Sequence, residues 1–527
     1  MQKLVHLLFI TFSCVGIAQP VQIYVDYYDR DEEHIRSEGK FENGKEVDTW
    51  KYYYKSGQLK EECEYVRGGF HGRTTIWHEN GQMQHQGWFK SSQQDSLYTE
   101  WNEAGKIIAQ GMYDTGVKDS IWNYFYDDGS QFKHSQYDNG DVKILNYWDK
   151  EGAQTISNGN GKLIEYYSAG SKKMEYTFSE GYKTGQGTKY YNSGKVKMQG
   201  NYIQGQQDGL WTTWYESQEI KIACNYKKGV LNGDYIRNFN DGQLNIKGKY
   251  LEGKKMGVWQ WYFKDGKLDM EGSFSSDLQD GHWLYNYFTG EKEYEGDYEK
   301  GKEIGLWQFW YANGAKWKEG TYINGEKQGI WTTWFESGKK LQEGNYESGK
   351  ENGLWTSWYE DGKIADKGMY NLGLMEGLWE GWYPNGNQNY KGTLLVGQKE
   401  DAWSFWYLHG TKREEGTYKN GLKNGFWIFY DDLDVKMREG NYKDNAQFGK
   451  WIYYYPTGQK QREETYVNGK LNGKSTTWHQ GKQVASTASY KSGRLDGKFT
   501  AYAKDGTKQL EVLYKKGVKE KDFLQNK

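Results

Sequence analysis

Tryptophan recurs through most of this chain at intervals of 24 residues. A second tryptophan column follows three residues behind the first, and the two columns together hold 21 of the 25 tryptophans, so composition alone does not explain the period. A period of this length predicts about twenty copies of one small unit, stacked as in a solenoid. The first column contains Trp50, Trp122, Trp211, Trp259, Trp283, Trp307, Trp331, Trp355, Trp379, Trp403, Trp427 and Trp451.

Each clear copy contains two aromatic, strand-like runs separated by a turn dipeptide. In one copy this dipeptide is Asn313-Gly314, and Asn-Gly between such runs predicts a two-residue type I′ hairpin turn. Pro384 and Pro456 stand just before the turn dipeptides of two other copies and leave open a type I turn with a bulge, which would shift the strand pairing by one residue. A second glycine-containing loop, residues 324–329, leads into the next hairpin.

The fold class follows from this pattern. We predict an all-β protein, an elongated solenoid or meander of about twenty antiparallel β-hairpins in a single twisted sheet. Side-chain alternation places Trp307 and Tyr322 on one face and Trp310 on the other. With a two-residue turn Trp307 lies opposite Gly320, where the missing side chain leaves room for an indole to lie over the neighbouring backbone.

The spacing also divides the chain. Successive copies begin 22 and then 19 residues apart between Trp122 and Leu163, which predicts a kink or break there. The predicted segments are 1–18, a signal peptide; 19–45, an N-terminal lead-in; 46–140, an N-terminal hairpin array; 141–165, irregular repeats with a kink; 166–516, a C-terminal hairpin array; and 517–527, a tail.

The N-terminus has the features of an export signal. Lys3 precedes an apolar run over residues 4–15, and small residues precede Gln19, so we predict a secretory signal peptide cleaved after Ala18. The alternative is a lipoprotein signal in which Cys14 becomes the lipidated N-terminus. No later stretch approaches the roughly 20 apolar residues of a transmembrane helix. We therefore expect a secreted, periplasmic or cell-surface protein that does not cross a bilayer.

Charge and composition exclude several classes of protein. The net charge is −2, so there is no positive field to attract a nucleic acid. Aromatic residues make up 17% of the chain, far too many for a disordered coil. Cys63 and Cys224 both stand in a column where most copies have glycine, and in a solenoid they are too distant to form a disulfide with each other.

We find no pattern that indicates catalysis, a cofactor or a metal. The nine histidines are scattered, and the hairpin reading places His71, His78 and His85 in a loop and on separate strands. A glutamate equivalent to Glu319 recurs beside the column glycine in many copies. Because it recurs so often, we interpret it as a cross-strand partner of lysine rather than as a catalytic acid. We therefore expect a non-enzymatic protein without catalytic residues.

The second tryptophan column is the one candidate binding site. If its rings are exposed, they form a stripe that could stack on sugars or hold cationic groups through many weak contacts. If the sheet curls or the protein forms a homodimer through this aromatic face, the rings are packed instead. The candidate stripe comprises Trp214, Trp310, Trp334, Trp358, Trp382 and Trp406.

The repeat also resembles a known family. The unit Gly-x-Trp-x-x-Trp-Tyr-x-x-Gly, followed by Glu-Gly-x-Tyr-x-x-Gly, resembles the bacterial MORN-repeat variant family over about residues 46–516. Proteins with such repeats include scaffolds and membrane-associated modules, and many are labelled as antitoxin components of toxin–antitoxin pairs. An antitoxin normally meets its toxin in the cytoplasm, so the predicted signal peptide argues against that role.

The leading functional hypothesis is a scaffold or protein-interaction module at the bacterial cell envelope. The alternative is carbohydrate or cell-wall binding through the tryptophan stripe, because glucan- and choline-binding repeats of cell-wall proteins are also short hairpins rich in Trp, Tyr and Gly. The expected partner is accordingly an envelope protein or a glycan. A ribbon of hairpins offers a long repeated surface, and we expect no deep pocket.

Overall fold

The computed structural model describes residues 21–29, 31 and 33–523. The predicted signal peptide, with Cys14 and Ala18, lies outside these residues. Within them the chain contains β-strands and turns and no helix, and the paired strands are antiparallel, which confirms the all-β class. None of the described residues forms a helix that is long and apolar enough to span a membrane.

The chain divides into two compact units. Unit 1 comprises residues up to 244 together with 250–253, and unit 2 comprises 245–249 and residues from 254 onward. Strand β20 (Leu244–Leu251) lies where the chain passes from one unit to the other. The strands of unit 1 are β1 (Gln22–Tyr27), β2 (Ile35–Glu42), β3 (Lys45–Tyr53), β4 (Leu59–Val66), β5 (Gly69–Trp77), β6 (Met83–Lys90), β7 (Gln93–Trp101), β8 (Ile107–Asp114), β9 (Val117–Phe125), β10 (Gln131–Asp138), β11 (Asp141–Trp148), β12 (Gln154–Ser157), β13 (Asn160–Tyr166), β14 (Lys172–Ser179), β15 (Tyr182–Tyr190), β16 (Val196–Ile203), β17 (Gln206–Trp214), β18 (Ile220–Lys227) and β19 (Val230–Asn238).

Unit 2 repeats the same hairpin with greater regularity. Strands that follow one another in sequence pair with each other, so each unit is a meander of hairpins. The strands of unit 2 are β21 (Lys254–Tyr262), β22 (Leu268–Ser275), β23 (Leu278–Asn286), β24 (Lys292–Glu299), β25 (Lys302–Trp310), β26 (Lys316–Ile323), β27 (Glu326–Trp334), β28 (Lys340–Glu347), β29 (Lys350–Trp358), β30 (Ile364–Asn371), β31 (Leu374–Trp382), β32 (Gln388–Leu395), β33 (Gln398–Trp406), β34 (Lys412–Lys419), β35 (Leu422–Lys423), β36 (Gly425–Tyr430), β37 (Lys436–Lys443), β38 (Ala446–Tyr454), β39 (Lys460–Val467), β40 (Lys470–Leu471), β41 (Gly473–Trp478), β42 (Val484–Lys491), β43 (Arg494–Leu495), β44 (Gly497–Tyr502), β45 (Lys508–Lys515) and β46 (Val518–Asp522).

The turn inside each copy differs from the two-residue type that Asn313-Gly314 predicts. The Tyr311 N–H donates to the Ala315 carbonyl at 2.8 Å, and the Gly314 N–H donates to the Tyr311 carbonyl at 2.9 Å. Gly314 has a φ of 83°, but Asn313 does not have a positive φ. This is a type I turn followed by a left-handed residue. The type I′ prediction was therefore wrong, and the alternative suggested by the proline-containing copies is the one that the structure adopts here.

The type I′ turn occurs at the loop that joins one copy to the next. Asn324 has a φ of 52° and Gly325 a φ of 86°, and the flanking residues Ile323 and Glu326 pair with each other. Both central residues therefore have the positive φ that defines this turn, and Asn and Gly are the residues that tolerate it best.

The predicted pairing of Trp307 with Gly320 is nevertheless confirmed. Beside the type I turn the two strands are one residue out of the predicted register, but Trp317 bulges from the second strand and restores it. Beyond this bulge Trp307 lies opposite Gly320. The shift at the type I turn and the shift at the Trp317 bulge cancel, so the pairing of the core residues was predicted correctly even though the turn type was not.

The core of each unit is built from the first tryptophan column lying over glycine. The indole that covers Gly320 is that of Trp331 in the next copy, and a Cβ added to Gly320 would overlap its ring. The indole N–H of Trp331 donates to the carbonyl of Thr321 at 3.2 Å. The covering ring therefore comes from the following copy and not from Trp307, the residue paired with the glycine. Each tryptophan of the column covers a glycine of the preceding copy and so links the two copies, although the buried Trp307 indole N–H has no hydrogen-bond partner.

A tyrosine separates successive tryptophans on the same face, which we call the core face. The ring of Tyr322 meets Trp307 at 5.8 Å and Trp331 at 5.1 Å between centroids, both edge-on. Edge-to-face contacts of this kind stabilise a pair by about 0.5–1.5 kcal/mol beyond the burial of area. In most of unit 2 the core face is thus a zipper of alternating indole and phenol rings, with Leu394 in the tyrosine place between Trp379 and Trp403. This explains how a chain poor in aliphatic residues buries apolar surface.

Hydrogen bonds from a second tyrosine column also link successive copies. The Tyr311 hydroxyl donates to the Trp334 carbonyl at 2.9 Å, 23 residues later. Where histidine stands in this column the same contact persists, with His78 Nε2 lying 3.1 Å from the Trp101 carbonyl and His479 Nε2 lying 3.0 Å from the carbonyl of residue 502. These histidines are therefore substitutes in a structural ladder.

The segment predicted to be irregular, residues 141–165, lies inside unit 1, whereas the two units divide near residues 244–254. Here β12 has only four residues. The zipper of indoles is interrupted, and a small mixed cluster takes its place, so the irregular spacing marks a local change of core composition. The cluster consists of Tyr147, Ile156, Leu163, Tyr176 and Phe178.

The two cysteines of the described chain are free and buried, as their glycine-column position predicts. Burial raises the pKa of the Cys63 thiol to about 12, with the nearby Glu61 carboxylate adding to the effect. Both thiols are therefore packing residues.

Candidate functional site

The face opposite the core carries the candidate binding residues, and we call it the display face. On β25 successive side chains alternate, so Leu306, Gln308 and Trp310 point away from the side that carries Trp307. Their cross-strand partners on β26 include Glu319, which lies opposite Gln308. Each copy therefore presents an apolar residue, a polar pair and a tryptophan in the same order.

We call the predicted stripe, Trp214, Trp310, Trp334, Trp358, Trp382 and Trp406, the tryptophan row. All six side chains are half-buried, so they are neither fully exposed nor part of the core. In the described part of the chain no aromatic ring stacks on any of them, in contrast to the core tryptophans, each of which has ring neighbours. The structure brings five of the six together on consecutive copies of unit 2, and Trp214 holds the equivalent place in unit 1.

Lysines cover part of this row. Lys292 lies 5.4 Å from the ring of Trp310, and Lys316 lies 5.4 Å from the ring of Trp334. In the copies of Trp382 and Trp406 the corresponding residues are Ile364 and a glutamine, so no lysine can occupy that place. In the described chain Trp382 and Trp406 therefore have no lysine over the ring, and neither has Trp214, where Val196 stands at the corresponding position.

The recurrent glutamates hold these lysines. Glu319 binds Lys316 at 2.6 Å and Glu343 binds Lys340 at 2.6 Å, in each case three residues away on the same strand across the bulge. The expectation that the lysine lies across the strand pair was therefore wrong for these copies, because the bulge brings the two residues of one strand together. The hydrogen bond from Lys340 lowers the pKa of Glu343 below its ordinary value, against the opposing effect of burial. Each glutamate is a structural anion.

A second row on the display face was not predicted from the sequence. The residue just before each core tryptophan is apolar in most copies and is 47–66% exposed. We call these residues the apolar row; in unit 2 they are Val258, Leu306, Ile330, Leu354, Leu378 and Phe426. The sequence does contain a pattern that indicates this row. An apolar residue next to a buried tryptophan in a strand points to the opposite face, so it cannot also face the core.

The two rows together make a repetitive binding surface. Equivalent residues of neighbouring copies are two strands apart, which is about 10 Å. A monomeric soluble protein rarely leaves a regular apolar row exposed unless it contacts something. Chemically, the display face offers apolar contacts, partly accessible indoles and neutralised Lys–Glu pairs, and such a surface suits multivalent recognition.

Among the described residues no group of three or more His, Cys, Asp or Glu side chains is arranged to hold a metal ion. Of the three evenly spaced histidines, His78 serves the tyrosine ladder, and the ring of His85 lies 5.9 Å from that of Tyr98. Burial lowers the pKa of His85.

Comparison with known families identifies the repeat. The model described as MORN repeat variant matches seven segments, at residues 49–67, 183–204, 257–275, 303–324, 327–348, 351–372 and 449–468. No curated protein matches this chain.

Solved structures with some likeness include a TcdB2–TccC3–Cdc42 complex and a Tc holotoxin pore. The crystal structure of TcdB2–TccC3–Cdc42 is 11% identical with a TM-score of 0.13, and the match covers 94% of this chain and 32% of that one. The Photorhabdus luminescens Tc holotoxin pore is 10% identical with a TM-score of 0.12, and the match covers 95% of this chain and 32% of that one. This chain thus spans about a third of those chains, and at these scores we draw no inference from the likeness.

Proposed function

We propose that this chain, a protein of MORN repeat variants, is a non-enzymatic interaction module that binds a protein partner at the bacterial cell envelope and acts there as a scaffold. The observation that carries the proposal is the apolar row, which stands exposed on copy after copy of unit 2. The location rests on the N-terminal sequence, where a charged residue, an apolar run and small residues before Gln19 have the order of a signal peptide.

The apolar row supports protein binding more directly than any other feature. Leu306 and Ile330 are 53% and 66% exposed, although leucine and isoleucine are among the residues most often buried. Covering such side chains removes apolar area from water at about 25 cal/mol per Å². A partner that contacts several copies at once buries apolar area on each of them, so the favourable free energy adds up over the copies. The polar residues between the rows fix the register of the partner.

We expect that threonine at three positions of the apolar row abolishes partner capture. The variant is Leu306→Thr with Ile330→Thr and Leu354→Thr, and threonine keeps the strand propensity while removing apolar area. Loss of three central contacts at about 1 kcal/mol each weakens binding by about a hundredfold. The measurement is affinity capture from an envelope extract with the mature full chain as bait, followed by titration with the protein recovered.

The matched control changes three exposed apolar residues that flank the connecting turns, with Ile323→Thr, Leu395→Thr and Val467→Thr. These side chains are 41–55% exposed but lie at hairpin ends rather than in the apolar row. The control variant should retain the same partner at wild-type affinity. Equal loss in both variants, or recovery of polysaccharide alone by the wild type, would contradict a protein-binding apolar row.

Carbohydrate binding is the second candidate, and the lack of intramolecular ring contacts in the tryptophan row favours it. Indole faces that no aromatic neighbour covers are suited to stacking on sugar rings. We expect Trp382→Ala with Trp406→Ala, two neighbouring rings without a covering lysine, to remove any glycan signal on an array, while Trp310→Ala with Trp334→Ala has a smaller effect. An array without hits for the wild type would eliminate this candidate.

A further inference from the structure

On the core face of unit 2, two positions of the repeat supply the groups that lie against each indole: the residue four before the tryptophan and the residue two after it. In several copies a lysine four residues before the tryptophan lies over its ring: Lys327 is 4.5 Å from the Trp331 ring and 4.7 Å from that of Tyr346, and Lys423 is 3.8 Å from the Trp427 ring. A lysine in this position is a cation held by aromatic rings within the chain. Burial lowers the pKa of Lys327, as expected for an ammonium group withdrawn from water.

In other copies a second aromatic ring lies beside the indole. Trp283 has Tyr285 stacked at 5.8 Å, and Trp307 has Phe309 at 6.1 Å, in each case two residues after the tryptophan. The remaining copies of unit 2 that contain a core tryptophan have the lysine, the ring or both, with two exceptions. The space beside a core indole is therefore normally filled by the chain itself.

The exceptions are the neighbouring copies of Trp355 and Trp379. Four residues before these tryptophans stand Glu351 and Met375, and two residues after them stand Ser357 and a glycine. No lysine or arginine in the described chain lies over either ring. The cation is thus missing in both copies. The ring two residues on is missing beside Trp355, whereas beside Trp379 the Tyr390 ring from the neighbouring strand lies over Gly381.

The missing groups leave a cavity of about 300 Å³. Its walls include the indoles of Trp355 and Trp379, with Tyr370 set edge-on between them at 5.8 and 5.3 Å. Tyr390 and Asp366 close another side, and the Tyr390 hydroxyl donates to Asp366 Oδ1 at 2.5 Å. The cavity thus joins several aromatic rings and a carboxylate, and its lining contains no basic side chain.

We propose that this cavity binds a quaternary ammonium group, such as the trimethylammonium head of choline. The neighbouring copies show that this position of the repeat accepts an ammonium against an indole and a phenol ring. Ser357 replaces the aromatic residue that follows Trp307 and Trp403 by two positions, so the space exceeds that of a bare ammonium and accommodates its methyl groups, with the Tyr390 ring over Gly381 as one wall. Asp366 supplies the opposite charge, and rings on several sides suit a cation that carries no N–H to satisfy.

The site is separate from the surface of the proposed function. It lies on the core face, whereas the apolar row and the tryptophan row lie on the display face, so the two can be tested independently. Free choline and the choline headgroup of a lipid present the same chemistry, and the experiment has to distinguish them.

The test is a titration of the mature full chain with choline chloride, followed by calorimetry and by tryptophan fluorescence. We expect saturable binding of one equivalent, and no binding of the uncharged tert-butyl analogue of choline at the same concentrations. A second arm uses phosphatidylcholine vesicles, with vesicles of phosphatidylglycerol alone for comparison. Binding of choline-lipid vesicles without binding of free choline would identify a lipid as the source.

The decisive variant is Met375→Lys, which restores the lysine found at the same position in neighbouring copies. It should fold as those copies do and should weaken binding at least tenfold, because its own ammonium fills the cavity. Asp366→Asn should weaken binding about tenfold. Gln447→Lys, which adds a lysine in the same column before Trp451, should leave the affinity unchanged.

Binding of either probe that Met375→Lys removes and Gln447→Lys preserves supports the proposal. The proposal is overturned if neither probe binds the wild type, if the uncharged analogue binds equally well, or if Met375→Lys binds as the wild type does. None of these outcomes depends on whether the display face captures a protein.

Discussion

Trp427→Ala is expected to destabilise its part of unit 2 by about 3–5 kcal/mol, the range measured for removal of a large buried aromatic side chain. Trp427 is 0% exposed, its indole covers Gly416, and its N–H donates to the Thr417 carbonyl at 3.0 Å. The rings of Tyr418 and Tyr442 flank it edge-on at 5.0 and 6.2 Å. The ring of Phe429 is stacked on it at 6.0 Å. The substitution therefore removes a filled volume, a hydrogen bond and three ring contacts at once.

The effect should be local, because a repeat array loses stability mainly through nearest-neighbour interfaces. Hydrogen exchange resolved by peptide is the appropriate measurement, and we expect protection to fall in β34–β38 while distant hairpins keep theirs. A single melting temperature would average over the array and is the wrong observable.

The matched control for this variant is Trp406→Ala, in the tryptophan row of the preceding copy. Its indole is half-buried and has no ring neighbour among the described residues, so its loss leaves no enclosed cavity. We expect a cost of about 1–2 kcal/mol, in proportion to the smaller area withdrawn from water. Equal loss of protection in the two variants would show that the two tryptophan columns are not divided between structure and display.

The repeat, the strand class and the Trp307–Gly320 pairing could all be predicted from the sequence because they depend on periodicity, which is set by every copy at once. The turn type could not. Asn313-Gly314 and Asn324-Gly325 are the same dipeptide between similar strands, yet the first belongs to a type I turn and the second to a type I′ turn. The dipeptide permits both, and the Trp317 bulge on one side decides between them.

The sequence analysis predicted that an indole covers each glycine, but it did not predict that this indole comes from the following copy. The sequence contains a pattern that indicates it. Every tryptophan of the first column has a glycine 11 residues before it. Where that glycine is replaced, the tryptophan is replaced too, as in the pairs Cys63 with Thr74 and Cys224 with Tyr235. A covariation between copies of one chain therefore identifies the contact, and its physical reason is that a side chain and an indole cannot occupy the same space.

Some of the candidate sites could be predicted from the sequence and others could not. The tryptophan row is a conspicuous column and was predicted, but the lysines over some of its rings, which the Lys–Glu pairs across the bulge hold in place, were not. The apolar row was missed because an apolar residue beside a core tryptophan was not considered separately from the core. The cavity arises from small or flexible residues, such as Ser357 and Met375, in two adjacent copies. Small residues at these positions form no recognisable sequence motif, so the cavity is seen only in the packed structure.

Gly320→Cys tests the glycine side of the zipper. A Cβ at this position would overlap the Trp331 ring, and the wall is a rigid indole held by its own hydrogen bond, so neither partner can move cheaply. Overpacking costs typically 1–3 kcal/mol, and we expect about 3 kcal/mol here, seen as lost exchange protection in β25–β28. The control Gly314→Ala has a φ of 83° and no neighbour within reach, so it should cost only about 1 kcal/mol of backbone strain.

The stronger test is the double variant Gly320→Cys with Trp331→Thr, which copies the natural pair of Cys63 and Thr74. Trp331→Thr alone should be destabilising because it empties the space over the glycine. In that background the cysteine side chain enters vacated volume, so Gly320→Cys should cost nothing or restore protection. The two substitutions must then couple by more than about 2 kcal/mol, which is expected only for groups in direct contact. Additive effects would mean that the indole of the next copy does not hold the glycine strand in place.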